Sequence, residues 1–428
     1  MNVSKNVYKN NKIKFIDLFA GLGGIRIGFE QALKDKKIKS ECVFTSEIKK
    51  HAIKAYKNNF KDSNINGDIS KIDLEKIPYF DYLLAGFPCQ PFSSAGKMLG
   101  FLDTRGTLFF EIEKILKNKK PLGFILENVE GLISHNKGQT LRTILNSLSN
   151  LGYKVTYSVL NSADFGLAQN RKRVYIIGTK DKTVHLNNFV KKQSNVKDIQ
   201  EDNLETIKSI FSKQLLKKYK TKDIYGKSIT DKRGGINNIH SWDLELKGTI
   251  SNEQKELLNL LLKNRRKKYF AQEINIDWMD GMPLNIDQIR TFFDHKNLQK
   301  LLDDLVQKKY LVFEYPKKLV NNKRKFDVLK QKGYNIVTGK LSFEFSKILD
   351  PNSISPTLVA TDIDRIGIID NEGIRKLSIR EGLRLFGFPE DYDLSFLKRS
   401  EALDLLGNTV CIPVIKEIAL KLLNTKKI

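Results

Sequence analysis

Cysteine is scarce in this chain and badly spaced for any shared task. The three thiols, Cys42, Cys89 and Cys411, are scattered, form no Cys-x-x-Cys pair and have no histidine cluster beside them. That spacing speaks against a disulfide framework and against a zinc site, and a reducing compartment is the expected home. Long apolar runs are missing as well. No stretch approaches the ~18 residues of a membrane span, and residues 1–14 are polar and basic, without the apolar centre of a signal peptide. A soluble, cytoplasmic protein with no membrane partner is the expectation. Acidic residues are the third shortage: 49 Asp and Glu stand against 74 Lys and Arg, a formal charge of +25. Such an excess is the electrostatic footprint of a polyanion binder, although a Lys-, Asn- and Ile-rich background inflates it. At 428 residues the chain has room for two or three domains.

What is present is a series of apolar runs, each ending in a short chemical motif. Residues 80–85 read as a buried strand that runs into Gly86-Phe87-Pro88-Cys89-Gln90-Pro91-Phe92-Ser93-Ser94, where Pro88 and Pro91 forbid a continued ladder. A thiol held at a strand's end stands where open α/β sheets present their chemistry. A packed, inert thiol is the alternative. Residues 12–18 read as a first strand, followed by Phe19-Ala20-Gly21-Leu22-Gly23-Gly24 and a helix over 25–33. Glycines between strand and helix let the backbone approach a ligand and leave helix N–H groups pointing at it. The dinucleotide fingerprint would want a third glycine where Arg26 stands, so the loop fits a ligand without a pyrophosphate.

Further acceptors follow in order. A strand over 42–46 ends in Glu47, the position from which a carboxylate can take both ribose hydroxyls of a nucleoside. Asp68 follows a short apolar stretch and could accept from an adenine amino group; either residue alone reads as a surface acid. Gly96 and Gly100 mark a plausible flap before a helix over 109–116. Residues 121–126 form another expected strand, which delivers Glu127-Asn128-Val129 beside the strand carrying Cys89. Gln169-Asn170-Arg171-Lys172-Arg173 then precedes a strand over 174–178, and a charged surface turn is the alternative there.

Taken together, these motifs resemble those of the cytosine-5 DNA methyltransferases, bacterial in type and dependent on S-adenosylmethionine. The likeness covers residues 12–180 and resumes with Ser355-Pro356-Thr357-Leu358, Gly387-Phe388-Pro389 and Gly407-Asn408-Thr409-Val410. It implies a Rossmann-like methyltransferase fold, a doubly wound, mostly parallel α/β sheet, with a second, smaller target-recognition domain. It further implies that Phe19, Gly21, Gly23, Glu47, Ile48, Asp68, Ile69, Pro88, Leu108, Asn408, Thr409 and Val410 line the cofactor site. Phe19 would lie against the adenine, Glu47 would hold the ribose and Asp68 with Ile69 would read the base edge. Ile48 stands where many members place an aromatic. Cys89 would be the covalent nucleophile and Glu127 the acid at ring N3. Arg171 and Arg173 would reach the base carbonyl, Glu127 and a phosphate, with Ser93, Gln90 and Asn128 binding substrate.

The resemblance pauses between about 179 and 341. Residues 181–350 hold 34 basic and 22 acidic side chains, and the densest patch is Lys263-Asn264-Arg265-Arg266-Lys267-Lys268-Tyr269-Phe270, either a solvated face or a phosphate contact. Apolar periodicity predicts helices over 285–293 and 297–308 and a strand over 310–315, the order of a winged helix-turn-helix, with the second helix as candidate groove reader. The expected domains are 1–182, catalytic and cofactor-binding; 183–399, target-recognition; and 400–428, returning to the first. Double-stranded DNA is the expected partner of a monomer, with a cognate restriction endonuclease as an independent companion. The rival readings are an RNA methyltransferase of the same fold and a catalytically idle DNA-binding regulator.

Overall fold

The computed structural model describes residues 12–61, 64–88, 108–320, 323–338 and 343–424. Cys89, Gln90 and Ser93, with the expected flap at 96–107, lie outside the described residues. The chain divides into two compact units, one made of Met1–Glu201, Pro351–Asp364 and Leu377–Ile428, the other of Asp202–Asp350 and Arg365–Lys376.

The larger unit is built on seven strands: β1 (Ile13–Leu18), β2 (Ser40–Ser46), β3 (Ile65–Asn66), β4 (Tyr82–Gly86), β5 (Gly123–Val129), β6 (Lys154–Asn161) and β7 (Lys172–Thr179). Their order is β3-β2-β1-β4-β5-β7-β6. Neighbours from β3 through β5 run parallel, and β7 is antiparallel to both β5 and β6. Four helices, α1 (Gly24–Asp35), α2 (Lys50–Asn59), α3 (Leu108–Lys119) and α4 (Gln139–Asn150), intervene between strands. Phe109, Ile112 and Leu116 of α3 and Leu141 and Ile144 of α4 share one core with Ile16, Leu18, Leu83 and Leu126. On the opposite face Phe29 of α1 meets Phe15 and Tyr82 at 5.3 and 5.4 Å between ring centres. Helices on both faces bury both sides of the central strands, which is why these read as unbroken apolar runs. The expected doubly wound sheet is the one that forms, and its strand order reverses between β1 and β4, where such sheets bind ligands.

The smaller unit has two cores. Helices α5 (Ile210–Lys218) and α6 (Thr221–Ile224) pack on a mixed sheet of β8 (Ser228–Ile229), β9 (Asn238–Ile239), β14 (Lys347–Ile348), β15 (Ile366–Asp370) and β16 (Gly373–Lys376), burying Leu215, Ile224, Ile348 and Ile374. Helices α7 (Asn252–Asn264), α8 (Lys268–Glu273), α9 (Ile286–Arg290) and α10 (Leu298–Gln307) enclose Trp242, Leu258, Phe270, Leu302 and Tyr310. After α10, strand β10 (Leu311–Glu314) pairs antiparallel with β13 (Gly333–Ile336), and a separate ribbon of β11 (Lys317–Val320) and β12 (Lys323–Phe326) lies between them in sequence. Helix, helix and strand thus follow one another as the apolar pattern predicts, and the ribbon β11–β12 comes after them.

The boundaries differ from those expected. Residues 183–201, 351–364 and 377–399 belong to the larger unit. Hydrogen bonds explain it. Ser355 N–H donates to the Ala168 carbonyl (2.8 Å) and Asn170 N–H to the Ser355 carbonyl (2.9 Å). Gln169 Nε2 donates to the Leu385 carbonyl (3.0 Å) in α11 (Ile379–Phe386), and Arg384 Nη1 to the Ile199 carbonyl (3.1 Å). Helices α12 (Arg399–Asn408) and α13 (Ile412–Leu423) complete the return. A Cβ on Gly28 would lie 2.7 Å from Ile415 Cβ, so only glycine lets α1 and α13 approach this closely. Among the described residues no helix is long and apolar enough to cross a membrane.

Candidate active site

Turns from β1, β2 and β3 gather at the carboxyl ends of these parallel strands. The turn after β1 holds Phe19 at φ 55°, a left-handed conformation that a bulky side chain rarely adopts and that clusters at functional sites. Gly23 (φ 71°) precedes α1 as its N-cap, and a Cβ there would lie 2.5 Å from the Phe60 ring. No side chain caps α1, so its first N–H groups are directed at the turn. Arg26, where the dinucleotide fingerprint has its third glycine, is buried: its guanidinium lies 4.2 Å over Phe60 and its Nε donates to Glu30 at 2.9 Å.

Glu47 faces this turn. Its Oε2 accepts the Gly21 N–H (2.8 Å) and its Oε1 accepts the N–H groups of Ile48 and Lys49 (2.8 Å each). An ionised carboxyl offers about four acceptor positions, so three are spent on backbone and roughly one stays open for a ligand hydroxyl, not the two expected. Asp68 accepts Ser70 Oγ–H at 2.7 Å and Ser70 N–H at 3.1 Å, and these bonds hold its carboxyl below the usual carboxylate range. It is an ionised acceptor at neutral pH. Ile69 beside it is buried, whereas Ile48 is 69% exposed and offers a bare apolar surface. From the far end of the chain, Thr409 and Val410 lie on the start of α1: a Cβ on Gly24 would sit 2.8 Å from Val410 Cγ2 and 3.3 Å from Thr409 Oγ1. Asn408 is exposed and donates to the Asp404 carbonyl (2.8 Å).

Two supports here carry no sequence signal. Asp404 of α12 pairs with Lys49 Nζ (2.9 Å) and His51 Nε2 (2.8 Å), tying α12 to the turn after Glu47. Tyr56 of α2 donates from its hydroxyl to Asp17 Oδ2 (3.0 Å), at the carboxyl end of β1. Burial pushes the Asp17 carboxyl up to about 7, against the pull of that bond and of Arg26.

The second cluster stands at the ends of β4, β5 and β7. Gly86, last of β4, pairs with Glu127 of β5, and the Glu127 carboxyl lies beside it: a Cβ on Gly86 would sit 3.6 Å from Glu127 Oε2. Glu127 is nearly buried, which raises its pKa, while Arg173 Nε at 3.2 Å and Arg171 pull the other way. Asn128 is buried and donates to the Phe87 carbonyl (3.3 Å), holding the chain as it leaves β4, which makes it a support here and not a surface for substrate. Pro88 and Leu108 are half-buried.

Arg171 is not where the likeness would have it. It is buried, and its Nη1 donates to the Leu358 carbonyl (2.9 Å) while Nη2 donates to those of Gly407 (3.3 Å) and Thr409 (2.9 Å). Its guanidinium also lies 5.2 Å over the Phe386 ring. Of the two arginines, Arg173 alone meets the Glu127 carboxylate as an ion pair, and Arg171 clamps the returning chain.

A family model described as C-5 cytosine-specific DNA methylase matches residues 13–424. The Type II methyltransferase M.NlaIV of Neisseria lactamica is 55% identical over 97% of this chain and 99% of its own length. The Type II methyltransferase M.BanI of Aneurinibacillus aneurinilyticus is 43% identical over 95% of each. Among solved structures, the Entamoeba histolytica methyltransferase EhMeth superposes with a TM-score of 0.55 at 15% identity, over 98% of this chain and 100% of that one.

Proposed function

The chain belongs to the C-5 cytosine-specific DNA methylase family, and from that premise we propose how its residues divide the reaction. It is a DNA cytosine-5 methyltransferase that uses S-adenosylmethionine. The residues present fit that cofactor. Glu47 would take a ribose hydroxyl on its remaining acceptor position, Asp68 the adenine amino group, and Phe19, Ile48, Ile69, Pro88, Leu108 and Val410 the apolar contacts. Gly21 and Gly23 would bring backbone to it, with Asn408 and Thr409 at its edge. The cofactor supplies the methyl group.

Cytosine carbon 5 is a weak nucleophile, and inside a duplex it is stacked out of reach, so the base must first be swung out. In the proposed cycle the Cys89 thiolate then adds to carbon 6, forming the S–C6 bond, and the ring electrons this displaces are met by a proton from Glu127 at N3. Carbon 5 thereby becomes enamine-like. After methylation a base removes the hydrogen of carbon 5, the S–C6 bond breaks, the thiolate leaves and N3 returns its proton to Glu127. One observation carries this assignment: a buried carboxyl with a raised pKa stands beside the last residue of β4, and the chain then leads through Phe87 and Pro88 to Cys89. Burial lets Glu127 keep a proton at a pH where a surface glutamate has lost it, and Arg173 stops that shift from becoming extreme.

The smaller unit, in this proposal, reads the target sequence. The proposed partner is duplex DNA, which suits the net charge of +25, and the proposal has the protein act on it as a monomer in the cytoplasm, with any companion restriction endonuclease working independently. Bisulfite sequencing of DNA from cells expressing the chain should find methylated cytosine in one sequence context. No methylated cytosine in any context sinks the proposal.

A further inference from the structure

The two elements that the sequence offered for target reading are partly engaged with the protein itself, although Lys263, Lys267 and Lys268 stay exposed. In the patch at 263–270, Arg265 is buried and donates to Asn335 Oδ1 (2.7 Å), and Arg266 pairs with Asp280 (3.1 Å). The inward face of α10 is Leu298, Leu302 and Leu305; its exposed face mixes Gln299, Lys300, Asp303 and Gln307, with Gln299 donating to Asp303 (2.8 Å) and to the Tyr334 hydroxyl (2.7 Å). That face carries no net positive charge.

The ribbon β11–β12 is different. Residues 317–332 hold seven Lys and Arg against one acid, Asp327. Asp327 pairs with Lys318 at 3.0 Å, and Lys317 lies 5.0 Å over the Phe326 ring; Lys323, Arg324 and Lys325 have no ion-pair partner among the described residues. The register sets Lys318 opposite Lys325 and Leu319 opposite Arg324. Like charges facing each other across strands destabilise a ribbon, so a polyanion laid along it would relieve a standing repulsion. Side chains alternate across the pleat. One face is therefore Lys318, Val320, Lys323 and Lys325, and the other Lys317, Leu319, Arg324 and Phe326. Leu319 N–H donates to Asp277 Oδ2 (3.2 Å), which ties β11 to the body of the unit, while all four residues of β12 are exposed.

Lysine on an edge strand can simply guard against aggregation. That explanation fails on the other face, where Leu319 is 61% and Phe326 51% exposed, for a guarded edge does not also display large apolar groups. An exposed pair of apolar side chains with an arginine between them, backed by a row of lysines, suits a partner that is charged outside and apolar within.

We propose that β11–β12 is the ribbon by which the smaller unit enters the major groove of the target duplex. Leu319, Arg324 and Phe326 bear on base edges, and Lys323 and Lys325 bear on phosphates. The major groove, about 12 Å wide, admits a two-stranded ribbon, whereas the minor groove at about 6 Å does not. Arginine reads guanine through O6 and N7, and apolar side chains read the thymine methyl. This rests on the reading of the smaller unit as the target reader and names the element that does it.

The test measures binding of the full chain, by fluorescence anisotropy across a salt series, to a duplex containing the methylated sequence and to an unrelated duplex. Lys323→Gln with Lys325→Gln should weaken both duplexes alike and lower the slope of log affinity against log salt by about 2, the loss of two phosphate contacts. Arg324→Ala, and Leu319→Ala with Phe326→Ala, should weaken the target duplex at least tenfold, leave the unrelated duplex within threefold, and relax the methylated sequence at one or more positions. S-adenosylmethionine binding, measured by calorimetry, reports whether each variant is folded. Affinity, slope and sequence all unchanged in folded variants overturn the proposal; a changed slope with unchanged sequence overturns its base-reading face. Wild-type protein that methylates no cytosine strikes instead at the function on which the proposal rests.

Discussion

At the scale of single residues, two buried carboxyls carry opposite duties. Burial raises the Glu127 pKa against the pull of Arg173 and Arg171, and in the proposed cycle this carboxyl gives a proton to the base. Glu127→Gln keeps the shape but cannot supply that proton, so methyl transfer should slow ~10²–10⁴-fold, the usual worth of general acid assistance, while cofactor and DNA binding persist. Single-turnover rates within threefold of wild type would remove Glu127 from the mechanism. Asp17 is a stability group. Burial pushes its folded carboxyl up to about 7 from the ordinary 3.8, so between roughly pH 4 and 7 the native state holds a proton that the unfolded chain has released. Stability from this group is therefore greatest at low pH and is lost as pH rises toward 7, by an amount on the order of 4 kcal/mol for a three-unit shift. Asp17→Asn should flatten the dependence of Tm on pH between 5.5 and 8, and an unchanged profile would show that the carboxyl titrates elsewhere.

At the scale of elements, Gln169 and Arg171, next to the start of β7, fasten the returning chain. Arg171 satisfies three backbone carbonyls from two segments, Leu358 and the end of α12, and burial lowers its pKa only to about 10, so it stays charged at neutral pH. Each acceptor left unpaired in the interior costs about 1–3 kcal/mol. Arg171→Met should thus lower Tm by several degrees and raise the KM for S-adenosylmethionine, because Thr409 and Val410 lose their anchor. Arg173→Met, by contrast, should slow methyl transfer with little change in Tm. Equal effects of the two substitutions on Tm would show that the clamp is not where the hydrogen bonds put it.

At the scale of the whole molecule, the smaller unit is discontinuous. Its sheet joins β8 and β9 to β14, and then to β15 and β16 from beyond the break at Pro351–Asp364. Exchange of target specificity between relatives should therefore require 202–350 together with 365–376. Such a chimera should methylate the donor's sequence, because base contacts specify while phosphate contacts only position. A transplant of 183–345 alone separates β8 from β14, which pair through Ser228 and Lys347, and should give insoluble or inactive protein. Retention of the recipient's sequence by the full exchange would place the reader in the larger unit.

Much of the larger unit is legible in the chain because its signals are local. A buried parallel strand is a contiguous apolar run, its carboxyl end is the next few residues, and Phe19 to Gly24, Glu47 and Glu127 each stand at the end of such a run, whereas Asp68 comes after the two-residue, half-buried β3. The helix–helix–strand order in the middle is legible for the same reason, since helix and strand periods show within a dozen residues. What only the folded chain decides is set by pairs far apart in sequence. Arg171 and Thr409 are separated by 238 positions, Lys49 and Asp404 by 355, and nothing near either partner announces the other. The same holds for the two segments of the smaller unit and for which basic residues are spent on internal bonds, as Arg265 is, and which are left facing water on β12. Charge composition is a property of the sequence; which charges remain free for DNA depends on the partners that packing brings to each, and those partners are chosen by tertiary structure.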